Sequence, residues 1–285
     1  MNLFNKWQTW TIIYLISAVI FANVFKKTNR TMKNANCLTI LLELGTALCA
    51  ILFIPFFKLT FPTDIKIYIT LFIVTIIYAA TDRLNTEARY GLEPSTFSML
   101  KQLSTVFLII FSFIFLKEQP VPIKIAGAII IIFANLFLSF EKGKLVINKY
   151  FIMSTISNIL FAVAMLINVN IATHFNLAIY TICTVSIPAL ILTIIGKHKI
   201  KDLKKELNRY NKLYFLISSF TWCLMLISSV KAYELGSVSI VAPLFALTSI
   251  FNALVEFAVF KNKNKLVKKI IAALLLILGV ILIKM

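Results

Sequence analysis

Four ionisable side chains stand in stretches of sequence that otherwise suit a lipid environment. Asp82 and Arg83 lie inside a long apolar run, Lys101 lies in the middle of Phe97-Ser98-Met99-Leu100-Lys101-Gln102, and Glu43 lies near the start of another run. A charged side chain at the centre of a bilayer costs roughly 2.5–3.5 kcal/mol on insertion scales, so such residues face a cavity and pair with one another. Two bases and two acids make a neutral set, as burial demands. Chemically, Lys101 or Arg83 would accept a carboxylate or phosphate, and Asp82 or Glu43 an ammonium group. A site of both signs suits a zwitterion such as an amino acid. Glu43 is also a candidate proton carrier.

Periodicity extends this set into polar faces. Thr75, Tyr78, Asp82, Asn85 and Arg89 recur every three or four residues, which places them on one side of a helix. Ser98, Lys101, Thr105 and Ser112 form a second such stripe. Asn252 stands in a third with Thr248 or Ser249 and Glu256, Tyr14 in a fourth with Trp10 and Ser17, and Ser157 and Asn158 in a fifth. The candidate substrate-binding residues are therefore Lys101, Asp82, Arg83, Glu43, Tyr78, Asn85, Ser98, Thr105, Tyr14 and Asn252. Two other readings stay open. Arg83 and Glu87 are four apart and could be a simple helix pair, and Asp82 to Glu93 could be a solvated loop.

The elements that carry these residues follow from composition. Of 285 residues, 60% are hydrophobic and only 14% charged, too apolar for a soluble domain and typical of an all-α polytopic membrane protein. A net charge of +18 would suit nucleic acid, but the bases fall between apolar runs, as orienting loop charge does. A bilayer core of about 30 Å needs roughly 20 apolar residues per helix. Ten stretches meet that: 7–25, 38–57, 67–90, 94–116, 122–140, 150–170, 177–195, 213–233, 238–260 and 267–284. The first is too long for the core of a secretory signal and lacks a convincing small-residue cleavage site after it, so it reads as a true span. The longest polar segment, Gly196 to Lys212, reads as a lysine-rich loop.

Ten spans put both termini on one side. Call the other side, with the loops 1–2, 3–4, 5–6, 7–8 and 9–10, side B. It carries 21 Lys or Arg against seven on the termini and remaining loops, a bias that turns side B toward the cytoplasm. At 1.5 Å per residue, Asp82 lies about 12 Å below the side-B surface, Arg83 and Lys101 about 10 Å, and Glu43 about 8 Å, a single layer.

The halves repeat. Tyr90-Gly91-Leu92-Glu93-Pro94-Ser95-Thr96 returns as Tyr233-Glu234-Leu235-Gly236-Ser237-Val238-Ser239. Gly127 and Ala134, and again Ala272 and Gly279, stand seven apart, on one helix face where small residues allow close packing. An odd number of helices per half requires the second copy to be inverted, with the division at residues 1–145 and 146–285. Inverted repeats place substrate near the midplane between halves.

This pattern resembles the drug/metabolite transporter superfamily, specifically its EamA-type members. In the first copy the resemblance rests on Ser95-Thr96, the run ending Phe115-Leu116-Lys117-Glu118, and the Gly127 helix. The second copy departs from it, with Phe260-Lys261-Asn262 where an acidic residue is usual. Pro243 matches a family proline in the ninth helix, but Lys101-Gln102 occupies the corresponding region of the fourth. The resemblance implies alternating access and cytoplasmic termini, whereas the lysine bias places the termini outside.

The four cysteines lie in or beside apolar runs at no metal-ligand spacing, and His174 and His198 form no constellation. No phosphate loop and no nucleophile–base set appears. We therefore expect no catalytic residue, metal or cofactor, and transport driven by an ion gradient, exchange or the substrate's own gradient. The expected function is secondary transport, in the direction of export, of a small polar metabolite such as an amino acid across a bacterial or archaeal plasma membrane. The alternatives are translocation of a lipid-linked sugar or other amphiphile, and a non-transport assembly protein. Expected partners are a small-molecule substrate and the lipid bilayer, with no nucleic acid, for a monomer or homodimer.

Overall fold

The computed structural model describes residues 6–115, 121–141, 144–145, 147–168, 171–236, 241, 244–258 and 266–285. The structure is helical: α1 (Trp7–Asn29), α2 (Ala35–Ile51), α3 (Ile65–Gly91), α4 (Pro94–Leu100), α5 (Leu103–Phe115), α6 (Pro122–Ser139), α7 (Lys149–Asn168), α8 (Leu177–Ile195), α9 (Ile200–Leu207), α10 (Lys212–Leu235), α11 (Thr248–Ala258) and α12 (Leu266–Lys284). Between α6 and α7 lies a two-stranded antiparallel pair, β1 (Phe140–Glu141) and β2 (Lys144–Leu145). Among the described residues five helices, α1, α3, α8, α10 and α12, are long and apolar enough to cross a membrane. Apart from that short pair the described chain is helical, a multi-pass membrane protein.

Short polar side chains start the helices. Asn34 accepts the Cys37 N–H, Asp64 that of Lys66, Asn176 those of Ala178 and Ile179, and Asn211 those of Leu213 and Tyr214. Each satisfies amides that the first helical turn leaves unpaired. α3 runs unbroken through Asp82, Arg83 and Glu87 to Gly91, about 40 Å at 1.5 Å per residue. This excludes the solvated-loop reading of that segment.

Three elements differ from expectation. The second helix stops at Ile51, and Pro55 follows within a 3-10 turn, Ile54–Phe56. The lysine-rich segment contains α9, whose Leu203 and Leu207 pack inward while Lys201, Lys204 and Lys205 stay exposed. Buried Glu206 fastens it: Oε1 accepts the Lys33 N–H at 2.8 Å and the Tyr210 hydroxyl at 2.7 Å. Burial and that carboxylate push the Tyr210 phenol above its ordinary range. The third difference concerns the fourth expected span, which is two helices rather than one, with Lys101 and Gln102 in a turn between α4 and α5.

The main helix contacts are α1 on α10, α3 on α7, α6 on α12 and α2 on α8. α6 and α12 meet through glycine. A Cβ on Gly127 would lie 2.6 Å from the Gly279 carbonyl oxygen, and one on Gly279 would lie 2.8 Å from that of Gly127. Ala134 and Ala272 are fully buried in the same apolar cluster. Their outward sides, with Ile129, Phe133, Leu274 and Leu278, are exposed for lipid.

Candidate functional site

The break at Lys101 has a structural support that comes from outside its own helix. The Gln102 N–H bonds the Met99 carbonyl and the Ser104 N–H bonds that of Lys101, both three residues back, so the chain tightens locally. The Leu100 carbonyl accepts Asn158 Nδ2 of α7 at 2.8 Å. A side chain from another helix thus replaces a ladder bond, one of the identifiable causes of a helix break. A second interruption precedes α11, where the Leu247 N–H bonds the Leu244 carbonyl at 3.1 Å and Leu247 itself sits in a turn.

Around the first break, three charges face one another. Lys101 Nζ lies 3.7 Å from the centroid of the Phe161 ring. Asp82 is close enough to feel the charges of Lys101 and Arg89 and to take a hydrogen bond from Asn85. Arg89 stacks its guanidinium over Phe97 at 3.8 Å, lies 4.9 Å from the Phe21 ring, and is electrostatically coupled to Tyr14. Among the described residues, none of these three charges forms a direct salt bridge with another. All three are half-buried rather than sealed. The expected Lys101–Asp82 pair is therefore a coupling through space, with Lys101 seated on an aromatic ring.

The other expected residues distribute around this centre. Tyr78 packs against Phe161 with centroids 6.4 Å apart, and Tyr14 stacks on Phe245 at 3.7 Å. Asn85 accepts the Ser157 hydroxyl at 2.7 Å. Asn252 donates to Ser98 Oγ at 3.3 Å and accepts from Asn23 at 2.9 Å. Glu43 is fully buried, feels the charge of Asp82, and its carboxylate oxygens have no partner among the described residues.

Arg83 does not join them. It bonds Asn36 of α2 and pairs with Glu87 at 2.6 Å, and Glu87 also meets Lys149 at 3.8 Å. The layer expected to hold Arg83 holds Arg89 instead, because seven residues separate Asp82 from Arg89, two turns on one face, whereas Arg83 is rotated by about 100° from Asp82. The Thr105 and Ser112 side chains, Pro243 and the segments 116–118, 237–239 and 260–262 lie outside the described residues.

Four polar residues missed as site candidates close the side-B end. Glu256 of α11 bonds Ser95 and Lys269, Lys269 also bonds Glu93, and Lys26 of α1 caps the end of α3. Asn23 links α1 to Asn252. Glu256 was visible as the end of the Asn252 stripe, but Lys26 and Lys269 read as loop charge.

Residues 8–140 match the EamA-like transporter family. This segment, just under half of the chain, is similar to the EamA-like transporters. That family implies a membrane transporter of small solutes. A crystal structure of another protein aligns over 96% of this chain and 96% of its own, with a TM-score of 0.57 and 13% identity, a likeness of fold. No curated protein matches the sequence.

Proposed function

We propose that this EamA-like protein is a secondary transporter that exports a small zwitterionic metabolite, such as an amino acid, across the cell membrane by alternating access. The observation that carries the reading is the trio Asp82, Arg89 and Lys101. These charges approach one another at a helix break without a direct salt bridge among the described residues, so their hydrogen-bonding capacity is available to a ligand. Lys101 or Arg89 would take the carboxylate and Asp82 the ammonium, and Tyr14, Tyr78 and Phe161 would line the space for its apolar part. Asn85, Ser98, Asn252 and the Thr105 position complete the proposed surface, with Glu43 behind Asp82 as a candidate proton carrier.

The architecture of this reading is ten spans in two inverted halves, residues 1–145 and 146–285. α4 with α5 forms the fourth span, and the segment ending in α11 the ninth. Helix packing supports it. Exchanging each helix of one half for its counterpart turns the α1–α10 contact into α7–α3 and the α2–α10 contact into α8–α3, and all four occur. Helix interruptions in the fourth and ninth spans fit the discontinuous helices that line transporter sites. The proposed working state is a monomer or homodimer in a bacterial or archaeal plasma membrane, with no nucleic-acid partner.

Purified protein in liposomes, loaded with labelled amino acids and scored for substrate-dependent efflux, tests the reading. Saturable efflux of one or more amino acids is expected. Movement of a lipid-linked sugar with no amino-acid efflux would replace it by the amphiphile alternative.

A further inference from the structure

Side B is shut by bonds that cross between the α3–α4 turn and the α11–α12 pair. Glu256, only 4% exposed, lies at their centre. Its Oε1 accepts the Ser95 backbone N–H at 2.7 Å, and its Oε2 accepts the Ser95 hydroxyl at 2.7 Å and Lys269 Nζ at 2.6 Å. Lys269 also bonds Glu93 in the turn before α4. The carboxylate therefore sits on the N-terminus of α4, where unpaired amides and the helix dipole favour negative charge. These are charge-assisted bonds, the stronger class.

Two further contacts extend the closure. Lys26 Nζ donates to the carbonyls of Arg89, Tyr90 and Leu92 at 2.7, 2.7 and 2.6 Å, which binds α1 to the end of α3. The chain Asn23–Asn252–Ser98 runs from α1 through α11 to α4. Outside this layer opens a cleft of about 440 Å³ lined by Asn23, Lys26, Lys27, Arg30, Glu93 and Glu256 together with Pro94. The network thus forms part of the wall between that cleft and the charged centre.

The closure is one-sided in sequence. The α3–α4 turn repeats at an offset of 143 residues and the glycine–alanine helices at 145, and either offset carries Glu256 onto a phenylalanine, Phe113 or Phe111. At neither offset does an acidic residue stand in the place of Glu256.

We propose that Glu256, with Ser95, Lys269 and Glu93, is a latch that holds the side-B mouth closed and is broken each time that mouth opens. Three features suit it to that use. Its bonds join elements of the two proposed halves, the Glu93 arm is 46% exposed and so within reach of water, and separating α4 and the turn before it from α11 and α12 breaks the Ser95 and Glu93 bonds together. The inference rests on the transport reading but is tested without a substrate.

The test compares modification rates by an impermeant maleimide at two engineered cysteines, each read above the unsubstituted protein as blank. Asn23→Cys lies on the side-B wall and removes the Asn23–Asn252 bond from the reference and the variants alike, so their difference isolates Glu256 and Lys269, and Thr11→Cys lies buried on α1 nearer the other end. Glu256→Gln and Lys269→Met should each raise the Asn23→Cys rate several-fold and lower the Thr11→Cys rate. Lys269→Met leaves Glu256 on the α4 terminus and carries the test where Glu256→Gln fails to fold. Unchanged rates overturn the latch, and a rise at both positions overturns it in favour of a purely structural clasp. A shift at side B without any transported substrate would keep the latch and reject the transport reading. Transport without a shift would do the reverse.

Discussion

Lys101 Nζ rests 3.7 Å from the centroid of Phe161, and Asp82 acts on it only through space. A lysine held by an aromatic face keeps its three N–H donors for another acceptor. Lys101→Met should therefore leave the protein folded and inserted while weakening substrate binding. A lost charge-assisted bond of about 1.5–3 kcal/mol corresponds to roughly ten- to a hundredfold in affinity. Adding Asp82→Asn should not restore transport, since the two are not a closed ion pair. Full recovery in the double variant, measured as efflux from liposomes, would reduce Lys101 to a structural charge.

Arg89 and Arg83 should part company. Arg89 stacks on Phe97 beside Asp82 and Tyr14, and a lysine cannot reproduce a planar stacked cation. We expect Arg89→Lys and Arg89→Gln both to depress efflux by about tenfold or more, on the same reasoning. Arg83→Gln, which removes a partly exposed helix pair worth about 0.5 kcal/mol or less, should change efflux by less than about twofold. Equal losses at the two positions would show that the Arg83–Glu87 side of α3 also serves the substrate.

Gly127 and Gly279 permit the closest helix approach in the molecule's α6–α12 contact. Gly127→Val should push the helices apart and cost about 1–3 kcal/mol, as overpacking does. A lowered unfolding midpoint in detergent is the readout. A midpoint unchanged from the parent would mean the two helices separate freely there.

Lys204 lies on the exposed face of α9 among the bases of side B. If that side faces the cytoplasm, a cysteine at position 204 should be modified by an impermeant reagent only after cells are permeabilised. Strong labelling of intact cells would instead place the termini in the cytoplasm, as the family resemblance implies.

Much of the candidate site was legible before folding because charge in an apolar run is conspicuous. Asp82, Lys101, Asn85 and Tyr78 come from such runs; the structure sets Lys101 and Tyr78 against Phe161 and Asp82 beside Asn85, within the reach of the Lys101 charge. Arg89 was on the same predicted face as Asp82, nearer the end of its helix, but was not among the candidate residues. The helix break at Lys101 was invisible for a different reason: Leu, Lys and Gln all favour helix, so nothing local marks an end.

By itself, the sequence determined the class, the helices and the pair of small-residue faces, because the bilayer imposes a length and a polarity on every span. Those demands act residue by residue and leave a readable period. Only the tertiary structure decided which charges meet. Whether Asn158 reaches the Leu100 carbonyl and whether Glu256 lands on the α4 terminus depend on how separate helices rotate and cross. Those choices are fixed by packing between segments more than fifty residues apart in the chain, and no local pattern records them.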